Sequence, residues 1–140
     1  MLKPIFDFPD VVRIEASGAC NFRCIHCPTG IEPNGRKQLS RENFYFILEQ
    51  FLKNNFIPRV VVLYHGGEPL LNKDLEHFIG VLKNLGVKKT VITTNASILN
   101  EIRGKGLILA GLDEMKVSFD GKSSIENNRI RKKGDFSRQS

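Results

Sequence analysis

The chain has no tryptophan, two tyrosines, two methionines and three cysteines among 140 residues. Its longest apolar stretches, Val60 to Tyr64 and Leu107 to Leu112, fall far short of the roughly 20 residues that a membrane-spanning helix needs, so no membrane partner is expected. The segment Met1 to Asp10 has one lysine and no apolar core, which does not match a cleavable signal peptide, and the expected address is the cytoplasm. The cysteines lie within eight residues, at 20, 24 and 27. An odd, clustered set argues against a disulfide framework and points to metal binding or thiol chemistry. Low-complexity runs are also missing, which excludes disordered, collagenous and coiled-coil classes. What remains, 41% hydrophobic and 26% charged residues, suits one domain with a modest core.

Charge is scarce in the body of the chain. The net value is +6, but residues 122–140 hold six basic and two acidic residues, leaving +2 for the first 121. The body is close to neutral, and nucleic acid is not the expected partner. With Ile125, Ile130 and Phe136 as its only large apolar residues, this basic, polar segment reads as a solvated loop and as a unit separate from residues 1–121.

From residue 11 the pattern alternates between periods of two and 3.6. Val12, Ile14 and Ala16 alternate with Arg13 and Glu15 as a first strand. Ser40 caps a helix with Phe44, Ile47, Leu48, Phe51 and Leu52 on one stripe, ending before Pro58. Val60 to Tyr64 is wholly apolar, as expected of a parallel strand covered on both faces. Asn72 caps a second helix through Leu85 with Gly86 as its stop, Thr90 to Thr94 is a third strand, Ser97 to Gly111 a weaker helix, and Met115 to Phe119 a fourth strand. With no hairpin signal, these α/β repeats imply a parallel sheet with right-handed crossovers, either open and doubly wound or part of a (β/α) barrel. About 30 residues per unit suits both. The unusual motifs favour the barrel, because each follows the carboxyl end of a strand: the cysteines, His65-Gly66-Gly67-Glu68-Pro69, Asn95, and Asp120-Gly121. The expected architecture is a partial (β/α) barrel with parallel strands, truncated after about four.

Three thiolates without a fourth suit an iron–sulfur cluster, zinc or copper(I). Zinc needs a fourth ligand; His26 is badly placed beside Cys27, and His65 is the alternative. A Cys24-x-x-Cys27 redox pair does not account for Cys20. Taken alone, Gly66-Gly67 is a turn, Pro69 a helix-starting residue, Ser118 a strand residue and Asp120-Gly121 a tight turn.

Taken together, Cys20-x3-Cys24-x2-Cys27 with Gly66-Gly67-Glu68-Pro69 resembles the radical S-adenosylmethionine (radical SAM) superfamily, here the N-terminal part of its core. The run Cys-Pro-Thr, Gly-Gly-Glu-Pro-Leu-Leu, Thr-Thr-Asn and Ser118-Phe-Asp120-Gly121 is most similar to the branch of molybdenum-cofactor, quinone-cofactor and sulfatase-maturation enzymes (SPASM-type). The resemblance implies a 4Fe-4S cluster held by Cys20, Cys24 and Cys27, whose fourth iron is chelated by S-adenosylmethionine. Reductive cleavage to a 5'-deoxyadenosyl radical would follow, for hydrogen abstraction from a substrate, peptide or small molecule, that no residue here identifies. It implies His26 against the adenine, Gly66, Gly67 and Glu68 at the methionine amino group, where glycine allows close backbone approach and the carboxylate pairs with the ammonium, Pro69 among the cofactor-binding residues, and Ser118 and Arg131 at ribose or carboxylate. Arg129 and Lys132 are rivals to Arg131, and Asn95 is assigned to the lining. An external electron donor is required. The family core has six strands, so a longer parent chain, a truncated gene product or a completing polypeptide is expected. The competing expectation is a non-catalytic metal-binding or interaction module holding zinc or a degenerate cluster.

Overall fold

The structure is a computed structural model and describes residues 8–31 and 36–132. The strands are β1 (Val11–Arg13), β2 (Arg23–Cys24), β3 (Val60–Val62), β4 (Lys89–Thr94), β5 (Glu114–Val117) and β6 (Arg131–Lys132). The helices are α1 (Pro28–Ile31), α2 (Arg41–Lys53), α3 (Leu75–Leu85), α4 (Glu101–Ala110) and α5 (Ser124–Ile130). Four strands form a parallel sheet in the order β1-β3-β4-β5, with Val12 opposite Val61, Val61 opposite Thr90 and Ile92 opposite Met115. Among the described residues β1 and β5 each have one partner. No helix among them is long and apolar enough to cross a membrane.

Strand parity decides the architecture. Ile14, Ala16, Val61, Leu63 and Ile92 belong to one buried cluster with Phe44, Leu48 and Phe51 of α2, Phe78, Ile79 and Leu82 of α3, and Leu107 of α4. These strand residues share one face, so the three crossover helices all cover the same side of the sheet. A doubly wound sheet would be covered on both sides; one-sided cover with strands in sequential order is the barrel pattern. Val60 and Val62 point to the other face, so β3 is not covered by helices on both sides as its composition suggested. That second face carries Arg13, Glu15, Tyr64, Thr93, Asn95, Lys116 and Ser118 at alternating positions.

Helix ends follow their capping chemistry. Ser40 accepts the Asn43 N–H at 3.2 Å, and Asn100 accepts that of Arg103 at 2.8 Å, starting α4 later than the expected Ser97. Asn72 serves the turn before α3: its Oδ1 accepts the Asp74 N–H at 2.8 Å, while its Nδ2 donates to the carbonyls of Ala16 and Leu39.

The expectation of a solvated loop from residue 122 fails for the described part. Ser123 caps α5, Asn127 is fully buried with its Oδ1 accepting the Asp120 N–H at 3.1 Å, and β6 pairs antiparallel with β2. This segment is held by polar contacts, which a count of apolar residues does not register. Lys133, Phe136 and Arg138 lie outside the described residues.

Candidate functional site

Past β1, the backbone of residues 16–18 is braced by the 36–39 segment: the Leu39 N–H donates to Ala16 and the Gly18 N–H to Lys37. Phe22, 2% exposed, anchors the cysteine loop, and Arg23 Nη1 clamps it by donating to the carbonyls of Cys20 (2.7 Å) and Phe22 (2.8 Å). Cys20, Cys24 and Cys27 are free, half-buried, and open into a single cleft of about 260 Å³. Burial raises the thiol pKa of Cys20 and of Cys24, and mutual repulsion adds to it; the Arg131 guanidinium acts against this at Cys24. Thiols whose ionised forms repel one another in one cleft gain from a polycation that accepts all three thiolates. Among the described residues no group of three His, Cys, Asp or Glu side chains is arranged to hold a single metal ion. Three separate soft donors around one cleft fit a cluster in which each thiolate takes its own iron.

The Gly66–Pro69 loop follows the β3 strand. The Gly66 N–H donates to Glu15 Oε1 at 2.7 Å and its carbonyl accepts from Thr29 Oγ1 at 2.5 Å, which ties the loop to both ends of the cysteine segment. A Cβ at Gly67 would overlap the Ser17 carbonyl oxygen and lie 2.6 Å from that of Ala19. A close approach that requires glycine is therefore made to the chain itself, at the Ser17–Ala19 backbone. Glu68 is 2% exposed, and its carboxylate accepts from Thr94 Oγ1 (2.6 Å), the Asn95 N–H (2.7 Å) and the Leu70 N–H (3.0 Å). Burial pushes its pKa up, and these three donors oppose the shift. Pro69 is buried and starts a short 3-10 turn over Pro69–Leu71, behind the cleft wall.

The ends of β4 and β5 complete the enclosure. Asn95 Nδ2 donates to Asn21 Oδ1 at 2.9 Å and lies 3.8 Å from Cys20 Sγ, while its Oδ1 accepts from Ser97. The following Ala96 has φ +57°, a left-handed conformation that costs a non-glycine residue about 1 kcal/mol. Ser118 lines the cleft, its N–H bonded to Thr94 O. Arg131, 8% exposed, enters from β6 and places Nε 2.7 Å from Asp120 Oδ2, and His26 Nε2 stands 3.9 Å from the same oxygen. Gly121 turns the chain there at φ +82°.

The structure thus brings Cys20, Cys24, Cys27, His26, Gly66, Gly67, Glu68, Asn95, Ser118 and Arg131 to one cleft and leaves Pro69 behind it. Sequence reasoning missed Glu15, Thr29, Asn21 and the ion-pairing role of Asp120. Their one signal was polarity at or just beyond strand ends. It also missed Tyr64, whose ring lies under the Arg13 guanidinium at 5.2 Å and whose phenol pKa is lowered by the neighbouring Thr93 and Arg13 side chains.

Parallel strands whose carboxyl ends gather three thiols, a glycine-rich loop and a buried arginine define a cluster-binding (β/α) barrel enzyme core. The Radical SAM superfamily model matches residues 14–139, and the chain belongs to that superfamily, a family of enzymes that use a 4Fe-4S cluster and S-adenosylmethionine. Over 108 residues it is 38% identical to a Sulfolobus acidocaldarius protein described as "Probable GTP 3',8-cyclase", covering 77% of this chain and 33% of the relative. A Saccharolobus solfataricus protein of the same description is 34% identical over 108 residues, again 77% of this chain and 34% of the relative. The chain spans about a third of the length of these relatives. Its fold is similar to BtrN in complex with AdoMet and 2-DOIA (TM-score 0.72, 23% identity, 84% of this chain, 48% of BtrN). It is also similar to Streptococcus suis SuiB bound to S-adenosylmethionine (TM-score 0.70, 22% identity, 94% of this chain, 28% of SuiB).

Proposed function

We propose that this chain is the cluster- and cofactor-binding part of a radical SAM enzyme acting by hydrogen abstraction on a peptide or small molecule, with Cys20, Cys24 and Cys27 as the cluster ligands. The observation that carries this reading is the shared cleft: three free, half-buried thiols, with burial raising the proton affinity of Cys20 and Cys24, face the Gly66–Glu68 loop, Asn95, Ser118 and Arg131 at successive strand ends. When bound, the cluster and its sulfonium cofactor supply a one-electron reductive cleavage. The chain's residues supply placement. Arg131, held at Nε by Asp120, keeps its terminal nitrogens for a carboxylate. Ser118 offers a hydroxyl for ribose, and the exposed His26 ring a flat surface for adenine. Gly66 and Gly67 give the loop its closeness, Pro69 fixes the loop's exit, and Asn95 holds the Cys20 arm. Glu68 braces the loops after β3 and β4; a cofactor ammonium would meet only the lone pairs its three donors leave. Residues 1–121 then form the N-terminal part of the core, with α5 and β6 clasped onto the cysteine loop. An external one-electron donor and further polypeptide to complete the barrel belong to the same reading.

Anaerobic reconstitution tests it. The expected result is a brown chain with about four irons, an altered spin-resonance signal of the reduced cluster on adding S-adenosylmethionine, loss of iron in Cys20→Ala, Cys24→Ala and Cys27→Ala, and retained iron but weakened cofactor response in Arg131→Ala. A Cys20→Ala variant that keeps a four-iron spectrum refutes the ligand assignment.

A further inference from the structure

The ribbon made by β2 and β6 has two faces. Cys24 is opposite Arg131 and Arg23 opposite Lys132, and the Ile25 N–H donates to the Ile130 carbonyl at 3.1 Å. Side chains alternate across a strand and opposed residues share a face. Cys24 and Arg131 therefore share the face that lines the cleft, while Arg23, Lys132, Ile25 and Ile130 share the other. On that outer face Ile25 is 55% exposed, Lys132 is exposed, and Arg23 and Ile130 are half-buried. Arg129, exposed in the last turn of α5, precedes Ile130 and lies next to this ribbon in sequence. Among the described residues no ion pair involves Arg129 or Lys132. The nearby carboxylates are engaged: Asp120 with Arg131, and Glu126 with the Lys122 N–H at 2.6 Å.

We propose that this outer face is the docking surface for an acidic one-electron carrier protein, which reduces the cluster from behind the Cys24 arm. The proposal rests on the function proposed above, and what it adds is the surface. Two exposed or half-exposed isoleucines flanked on the same face by Arg23 and Lys132, with Arg129 in the adjoining helix turn, match an apolar contact with an acidic rim. The ribbon is one backbone layer thick, so a partner packed on it at the usual spacing of about 10 Å sits close to the thiolate on the opposite face. The step is a single electron passing from the reduced carrier to the oxidised cluster, with no bond made or broken.

The test is stopped-flow reduction of the reconstituted 140-residue chain by a reduced acidic flavodoxin, and separately by dithionite. Arg129→Glu combined with Lys132→Glu should slow reduction by flavodoxin about tenfold or more at low ionic strength. The gap should close to within about threefold near 0.5 M salt, where the Debye length falls to a few Å. Dithionite should reduce both proteins alike. Lys53→Glu combined with Lys105→Glu, on α2 and α4 with side chains 61% and 69% exposed, makes the same change in net charge elsewhere and should stay within about twofold of the parent. Equal slowing by both pairs would show that only overall charge matters, and no slowing in the ribbon pair would show that the carrier docks elsewhere; either overturns the proposal while leaving the cluster assignment intact. A parent chain that assembles no cluster overturns the functional reading and this surface with it.

Discussion

Replacing Gly67 with alanine should unfold or severely loosen this chain, and the size of the effect follows from what lies within reach of the added carbon. A Cβ there overlaps the Ser17 carbonyl oxygen and stands 2.6 Å from the Ala19 oxygen and 2.7 Å from the Gly18 carbonyl carbon. All three are backbone atoms with no rotamer to change. Relief requires the Gly66–Pro69 loop to part from the cysteine loop, which breaks the Glu68 N–H to Ala19 O bond of 2.8 Å. Overpacking costs about 1–3 kcal/mol and the buried donor left unmade about another 1–3, so roughly 4 kcal/mol is lost from a total of about 5–15. At about 3–5 °C per kcal/mol for a domain of this size, the melting midpoint should fall by roughly 10–20 °C, and iron loading should fall with it. Two other glycines calibrate the scale. Gly66→Ala meets the ends of the Thr29, Glu15 and Arg36 side chains at 3.2, 3.3 and 3.8 Å, which can shift, and should cost a few degrees. Gly80→Ala, inside α3 with nothing within 4 Å, should gain about 0.5–1 kcal/mol from helix propensity. Thermal melts of the three variants with iron analysis check this. A Gly67→Ala protein that melts within about 3 °C of the parent and loads iron fully, yet binds S-adenosylmethionine weakly, would mean that glycine is needed there for the cofactor and not for the chain.

Glu68 makes a signed pH prediction. Burial raises its folded pKa above that of a free glutamate, so its contribution to stability is fully present below the unfolded carboxyl's pKa and is lost as pH rises through the raised folded value. The melting midpoint of the parent relative to Glu68→Gln should therefore improve as pH is lowered from 8 toward 4.5, and the opposite slope refutes the burial argument. The β5 strand has one partner among the described residues, and Ile108, Leu109 and Phe119 near it are 74%, 87% and 48% exposed. An unpaired strand edge beside apolar surface invites association, so light scattering should find the isolated chain self-associating at micromolar concentration. A monodisperse monomer sinks that expectation.

The legible parts of the fold were those that bury apolar side chains at a fixed period. The stripe of α2, the Ser40 cap and the Gly86 stop were readable because each satisfies its own neighbourhood. The α5 helix was not, because its one buried residue is Asn127 and its attachments are a serine cap, an amide-to-backbone bond and the Arg131–Asp120 ion pair. The β2 and β6 strands have two residues each, too few for alternation to show. For the site, sequence order located the strand-end motifs, but not which partner each would meet. Gly67 needed glycine for a reason set by Ser17, 50 positions earlier, and Glu68 was spent on Thr94 and Asn95 of the next strand.

The inward face of the sheet explains why those partners were hard to foresee and why the arrangement is workable. Arg13, Glu15, Tyr64, Thr93, Lys116 and Ser118 alternate with the core residues as the polar positions of any half-buried strand do, and alternation alone cannot tell bulk solvent from an enclosed cavity. Only the placement of α2, α3 and α4 on one side makes the distinction. That placement also divides the work: nearly all apolar burial lies between the sheet and the helices, so the inward positions contribute little to the core. Polar groups there can be arranged for binding without large loss of stability, except where, as at Glu68 and Gly67, a loop of the site is itself packed against the backbone.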